Sequence, residues 1–219
     1  MAKKSYESPE AAREAILDAA EAIAIKVGPA GLRLSAVAKQ AGMAHPNIIH
    51  HFGSRDGLLN ALADRVGEQT TQRITTVISE TLQTPDQTLQ DAVVRVLETV
   101  FTGDEGRLSA WLHMSALDNS VDLSGAQGGM KDNMNQIVDL SHSLRQLIDP
   151  TVKRENTSRI VLLVTLALMG EVVAGETMKS ALGFDKTGHG RAHFKQWLAS
   201  LLLNLSDEDL SSGEQKQNL

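Results

Sequence analysis

The stretch AGMAHPNIIHHFGSRDGL, from Ala41 to Leu58, decides how this chain is interpreted. It lies between two helical patterns and contains a glycine, a proline four residues later and two adjacent histidines. Gly42 can adopt a positive φ and let the chain leave one helix sharply. Pro46 suits the first turn of the next helix, because the amide groups there have no partner inside the helix. Two short helices joined by a short glycine-containing turn are typical of a helix-turn-helix.

Helical periodicity extends outward from this stretch over nearly the whole chain. Ser8 and Pro9 predict the N-cap and first position of the first helix, and Ser54 is predicted to cap a fourth. No stretch shows the alternation of apolar and polar residues that indicates a β-strand. The sequence therefore predicts an all-α protein of nine helices, with a three-helix head at its N-terminus.

The later helices are predicted from their breakers and apolar runs. Thr84 and Pro85 are expected to open a fifth helix that Gly103 closes, and a seventh is expected from about residue 121 to residue 148. The eighth, from about residue 155 to residue 182, is apolar nearly all round, which predicts burial on more than one face. Its longest apolar run, Ile160 to Met169, is too short to span a bilayer.

Composition limits the classes of function. The 219 residues include no cysteine, so the chain has no disulfide framework and no cysteine-ligated zinc, and we expect it in the reducing cytoplasm. The first residues are basic but precede no apolar run, so they are not a secretory signal. His189 and His193 share a helical face but have no evident third ligand. No catalytic motif is present, and we expect no enzymatic activity, no cofactor and no metal.

The charges are distributed unevenly. Residues 1–55 contain seven Lys and Arg against five Asp and Glu, whereas the remaining residues have a net charge of −8. From Ala22 to Arg55 there are four basic residues, three histidines and no carboxylate. A basic face on an acidic protein is one way for a domain to meet DNA while the rest stays soluble.

The exposed side of the third predicted helix supplies candidate DNA contacts. Asn47 can bond bidentately to adenine, and histidines can donate to base edges or phosphates. Helix N-termini at Ser35 and at Ser54–Arg55 would offer amide groups, hydroxyls and a cation to phosphates. The candidate DNA-binding residues are Ser35, Lys39, His45, Asn47, His50, His51, Ser54 and Arg55.

Some of these residues also have interpretations that involve no DNA contact. His51 can instead be a half-buried imidazole that covers the core near Phe52, and Asn47 can be a solvated polar residue. Lys3 and Lys4 are either a solvated start or a basic arm that follows the DNA backbone.

Residues 12–62, AREAILDAAEAIAIKVGPAGLRLSAVAKQAGMAHPNIIHHFGSRDGLLNAL, closely resemble the DNA-binding head of the TetR family of bacterial transcriptional regulators. The matches are spaced along the segment and differ in chemical type. They are Ile16, Leu17, Ala19, Ala20, Gly28, Leu34, Ser35, Ala38, Ala41, Gly42, His51, Phe52, Ser54, Arg55 and Leu58. Two positions depart from the family's pattern: Ile49 replaces a usual aromatic residue, and Ala44 replaces a usual small hydroxyl cap. Both departures are expected to weaken contacts with the DNA backbone.

The resemblance implies a cytoplasmic homodimer that binds a palindromic operator, usually as a repressor, and that a small molecule releases. It implies a helix-turn-helix domain over 1–53 and a ligand-binding and dimerisation bundle over 54–205; composition predicts a disordered tail over 206–219. The runner-up is an architectural or division-linked DNA-binding protein of the same fold without a sensing pocket.

The resemblance also suggests which residues meet the effector and the second subunit. A mostly apolar pocket is expected, although any of its methionines can instead simply fill the core. The pocket candidates are Phe101, Trp111, His113, Met114, Met130, Met134 and Met169. The dimer candidates, on the last two helices, are Val164, Leu168, Val172, Phe194, Trp197 and Leu201.

Overall fold

The computed structural model describes residues 8–83, 88–101, 103–117, 122–184 and 189–205. Within these ranges the chain forms nine α-helices and no strand, as the sequence predicts. They are α1 (Pro9–Val27), α2 (Leu34–Ala41), α3 (His45–Phe52), α4 (Arg55–Leu82), α5 (Leu89–Thr99), α6 (Gly103–Leu117), α7 (Gln127–Ile148), α8 (Arg154–Ala181) and α9 (His189–Asn204).

Local sequence explains how α1 and α4 begin. The Ser8 hydroxyl accepts the amide of Ala11 at 3.1 Å, and the Ser54 hydroxyl accepts the amide of Gly57 at 2.9 Å. Both serines thus satisfy an amide that the helix itself leaves without a partner. The predicted caps of α1 and α4 are confirmed.

Three predicted helix boundaries are wrong. α5 begins at Leu89 and not at Thr84, because the hydroxyl of Thr88 caps it by accepting the amide of Asp91 at 3.1 Å. Gly103, with φ of 65°, opens α6 rather than closing α5. α7 begins at Gln127, after a 3-10 turn over Ser124–Ala126.

The chain packs as two compact units. The first comprises Met1–Gln69 and Gly103–Lys131, and the second comprises Thr70–Thr102 and Asp132–Leu219. The first core takes fully buried side chains from α1, α2, α3, α4 and α6: Ile16, Ala20, Val37, Ile48, Leu58, Leu59, Leu62 and Leu108. α4 and α6 thus complete this core, and the predicted functional boundary after residue 53 stays a prediction.

The second unit has a smaller core made by α5, α8 and α9. Leu97, Leu168, Leu198 and Ala199 are its buried members. Phe101 packs against them from a turn in which its own φ is +50°, a value rare for a residue with a side chain. Phe101 thus contributes to this core.

α8 is the one described helix that is long and apolar enough, by length and composition, to cross a membrane. The sequence analysis expected the apolar run of this helix to be too short to span a bilayer. By length and composition that expectation is wrong, because the helix continues without a break through Gly170 and Glu171 to Ala181. α8 also contains a buried ion pair. The side chain of Glu171 is 4% exposed, and its carboxylate accepts a hydrogen bond from Lys179 Nζ at 2.8 Å. Gly175 leaves room for the Glu171 side chain, since a Cβ there would lie 3.3 Å from Glu171 Cγ.

Candidate nucleic-acid interface

A tight turn sets α3 against α2. Gly42 ends α2 in the left-handed conformation, with φ of 69°, and the amide of Met43 bonds to the carbonyl of Ala38 at 2.9 Å. This pattern closes a helix with bonds that its last carbonyls otherwise lack. α3 then starts with Pro46 in its first turn, as predicted, while Ala44 supplies no side-chain cap.

The exposed side of α3 carries the predicted polar residues. His45, Asn47 and His50 are exposed, while Ile48 is fully buried and anchors the helix to the core. Ser35 and Lys39 of α2 are exposed as well. The structure therefore brings five of the eight candidate DNA-binding residues to the surface of the α2–α3 pair.

His51 differs from its neighbours. It is half-buried, and its ring centroid lies 6.3 Å from that of Phe52. Its backbone carbonyl accepts a bond from Arg13 Nη1 at 3.4 Å, and the Arg13 guanidinium lies 4.5 Å above the Phe52 ring. These contacts match the interpretation of His51 as an imidazole that covers the core.

Arg55 has a different use from the one the sequence suggests. Its Nη2 donates to the carbonyls of Pro29 and Ala30 at 2.8 and 2.9 Å, and its Nε donates to the carbonyl of Leu32 at 3.1 Å. Nη1 pairs with Asp56 at 3.2 Å. The guanidinium fork thus clasps the turn between α1 and α2 to the start of α4, while the predicted phosphate contact of Arg55 stays a prediction.

Ser54 is likewise engaged as the cap of α4, and the turn there is tight. A Cβ placed on Gly57 would lie 2.1 Å from the carbonyl oxygen of Phe52. A side chain at residue 57 therefore cannot be accommodated unless the end of α3 moves.

Three of the four acidic residues of α1 are gathered around one arginine of α4. Arg65 pairs with Glu14 at 3.3 Å, with Asp18 at 2.7 Å and with Glu21, while only 12% of its own side chain is exposed. Burial by itself would lower the pKa of Arg65, but its hydrogen bonds to Asp18 and Glu21 hold that pKa above the usual value. Three carboxylates of α1 thus lie against α4, where the single positive charge of Arg65 offsets part of their negative charge.

The sequence interpretation missed Arg13 and Arg65. A signal for Arg65 was available, because Glu14, Asp18 and Glu21 recur at helical spacing and mark one acidic side of α1. No pattern in the sequence pointed to Arg65 as the partner of these acids, since the pairing depends on how α1 and α4 pack.

Asn60 joins α4 to the segment before α7. Its amide nitrogen donates to the carbonyl of Asp122 at 2.7 Å, and its amide oxygen accepts the amide of Ala126 at 2.8 Å. Two glycines let this segment approach: a Cβ on Gly125 would lie 3.0 Å from Asn60 Oδ1, and one on Gly129 would lie 2.8 Å from Asp64 Oδ1. Burial raises the pKa of Asp64, and the positive charge of Arg13 partly offsets that effect.

The predicted pocket residues fall in both compact units. Trp111, His113, Met114 and Met130 belong to the first, and Phe101, Met134 and Met169 belong to the second. Within the first unit, His113 Nε2 lies 3.3 Å from Met130 Sδ, and its Nδ1 lies 2.7 Å from the carbonyl oxygen of Ser109. The structure thus brings one predicted pair together, while the pocket as a whole stays a prediction.

The predicted dimer residues divide into core and surface. Leu168 is 1% exposed inside its own chain, and Val164 and Phe194 pack against it, so Leu168 is not available to a second copy. Val172 is half-buried. By contrast, Trp197 is 59% exposed and stacks on Phe194, and Leu201 is exposed. The exposed apolar residues of α8 are different ones: Leu162, Leu163, Leu166, Val173 and Met178.

Some predictions fall outside what the structure describes. They concern Lys3 and Lys4, the side chains of His189 and His193, and the tail over 206–219. Among the described residues, no group of three His, Asp or Glu side chains lies close enough together to hold a metal ion.

Comparison with known proteins finds similarity to bacterial regulators in the N-terminal part of the chain. Residues 16–62 match the model of bacterial regulatory proteins of the tetR family. No curated protein sequence matches the chain.

Solved structures share the fold at low sequence identity. A tetR-family transcriptional regulator from Streptomyces coelicolor has 15% identity and a TM-score of 0.60, over 87% of this chain and 78% of that one. GusR from Salmonella enterica has 16% identity and a TM-score of 0.60, over 93% and 100% of the two chains. The multidrug binding protein EbrR, in complex with imidazole, has 17% identity and a TM-score of 0.55, over 89% and 96%.

Proposed function

Since the chain belongs to the TetR family of bacterial regulatory proteins, we propose that it is a ligand-responsive repressor that binds a palindromic operator as a homodimer. Its family consists of DNA-binding regulators and not of enzymes. The protein would act in the cytoplasm of a bacterium, where its DNA lies. The observation that supports this function best is the exposed polar side of α3, in a segment, residues 22–55, that has four basic residues and no carboxylate although the chain as a whole is acidic.

The proposed contacts follow from which side chains are exposed. Asn47 and His45, near the start of α3, would read base edges in the major groove. Lys39, Ser35 and His50 would contact phosphates and set the register of the helix on the duplex. We assign His51, Ser54 and Arg55 to the scaffold that holds α3, because their own contacts lie within the protein.

A second copy would cover the exposed apolar sides of α8 and α9. Leu162, Leu166, Trp197 and Leu201 support this, because large apolar side chains exposed together mark an interface. The buried ion pair of Glu171 and Lys179 favours a protein partner over a bilayer, since charged residues are costly inside a membrane. Two heads held in this way would read half-sites about 34–36 Å apart on one face of the duplex.

The effector would be small and mostly apolar. The exposed Met114 and Met130, the half-buried Trp111 and the adjacent His113 support an adaptable surface with few polar anchors. EbrR, which shares the fold, has been crystallised with imidazole and with ethidium. Release would be a population shift, in which the effector favours a separation of the heads that no longer matches successive major grooves.

The test is a titration of the purified full-length protein on DNA that flanks its own gene, at two salt concentrations. We expect tight, salt-sensitive binding to a palindrome. Asn47→Ala should lose about 1–3 kcal/mol of discrimination against other sequences. Asn135→Ala, which removes an exposed asparagine of α7, serves as the control and should bind like the wild type.

A different result would favour the architectural function. Weak binding that is equal on unrelated DNA and indifferent to Asn47→Ala would mean that α3 does not read sequence. A protein of that kind would occupy many dispersed sites, and the repressor proposal would fail.

A further inference from the structure

Two exposed residues of α3, Pro46 and Ile49, are apolar and lie outside the core. Ile49 is 39% exposed, next to Ile48, which is fully buried. It lies one turn after His45 and therefore on the same side of the helix. The DNA-facing surface proposed above thus includes a large aliphatic side chain among histidines and an asparagine.

The chemistry of the major groove supplies a partner for such a side chain. Each base pair presents a distinct pattern there, and thymine alone adds a methyl group, at its C5 position. Hydrogen-bonding side chains do not recognise a methyl group, whereas an aliphatic side chain gains by excluding water from it. Lys39, His45, Asn47 and His50 offer polar contacts only. Of the two exposed apolar residues of α3, Pro46 is the compact ring of the first turn, so the larger apolar contact falls to Ile49.

The shape of isoleucine suits this role. In a helix, a side chain branched at Cβ has one strongly preferred χ1 rotamer, so its methyl groups are already fixed in space. Little conformational freedom is then lost when it packs on a base. A flexible side chain at the same position would discriminate less for the same contact area.

We propose that Ile49 is a specificity-determining residue, which selects thymine at one position of each half-site by packing against its 5-methyl group. This inference rests on the proposed operator-binding function. It converts the departure of Ile49 from the family's usual aromatic residue into a change of readout rather than a simple loss of contact.

The experiment uses deoxyuridine, which pairs as thymine does but lacks the methyl group. The palindrome is first selected from random duplexes with the full-length protein. Each thymine of one half-site is then replaced in turn by deoxyuridine, and binding is measured for the wild type, Ile49→Ala and Ile49→Val. Val27→Ala, which shortens an exposed aliphatic residue at the end of α1, is the matched control.

The wild type should lose about fourfold in affinity at one thymine per half-site, the effect of one methyl group removed from a buried apolar contact. Ile49→Ala should bind thymine and deoxyuridine equally there, Ile49→Val should keep part of the difference, and Val27→Ala should keep all of it. Circular dichroism would verify that the variants are folded.

Two outcomes would overturn the inference, and they are distinguishable. If no palindrome is selected, the proposed function fails and this inference fails with it. If a palindrome is selected but no thymine methyl group matters, or if one matters equally to the wild type and to Ile49→Ala, only the role of Ile49 is refuted.

Discussion

α3 and α8 both present side chains to the outside, but they differ in how far their own chain completes their surroundings. α3 has one buried anchor, Ile48, and its exposed residues are mostly polar. α8 has one fully buried leucine, Leu168, and exposes several large apolar side chains, among them Leu162 and Leu166. α3 is thus ready within one chain for a polar partner such as DNA. α8 requires an apolar partner, which we propose to be a second copy.

The largest expected effect comes from charging the exposed side of α8. Leu162→Glu combined with Leu166→Glu should convert the dimer into a monomer, because each carboxylate would be buried without a partner in the interface. Operator affinity should fall by more than about a hundredfold, since a lone head contacts one half-site. Light scattering with size exclusion gives the mass, and a titration on the palindrome gives the affinity.

Leu147→Glu is the control for this experiment, because Leu147 is the same residue type, highly exposed on α7. Its dimer and its affinity should be unchanged. A charged α8 that still elutes as a dimer would contradict the proposed interface. A wild type recovered only in the membrane fraction would instead show that α8 meets lipid.

A smaller effect is expected where the scaffold of α3 is tightest. Gly57→Ala places a Cβ against the Phe52 carbonyl and should destabilise the head by about 1–3 kcal/mol, as overpacking does. Gly128→Ala, in the first turn of α7, meets nothing within 4 Å and should be neutral or slightly stabilising. Thermal unfolding followed by circular dichroism compares the two variants. Equal stability of Gly57→Ala and the wild type would mean that this turn adjusts freely.

The smallest effect distinguishes residues that contact DNA from residues that hold α3 in place. Arg55→Lys keeps the charge but loses the guanidinium fork that binds the carbonyls of Pro29, Ala30 and Leu32. We expect a loss of about 1–2 kcal/mol in stability and an unchanged salt dependence of DNA binding.

Lys39→Ala should do the opposite, with little change in stability and a salt slope smaller by about one. Lys131→Ala, an exposed lysine at the start of α7, should change neither quantity. Arg55→Gln, which removes the charge as well as the fork, should also leave the salt slope unchanged. A slope lowered as in Lys39→Ala would show that Arg55 contacts phosphate.

The sequence by itself determined the helix-turn-helix and the all-α fold. Gly42, Pro46 and Ser54 act through their own backbone and nearest neighbours, so their roles follow from residue type and position. The exposed polar residues of α3 were predicted for the same reason, because one buried residue, Ile48, fixes the orientation of so short a helix.

Only the tertiary structure decided which cations and which leucines are engaged in contacts within their own chain. The sequence does not distinguish the roles of Arg55 and Arg65, yet Arg55 binds three carbonyls of a distant turn and Arg65 pairs with three acids of α1. Leu166 and Leu168 are equally apolar, yet one is exposed and the other is core. In a helix that is apolar nearly all round, helical periodicity does not indicate which side packs inward. That side is set by contacts with residues far away in the chain.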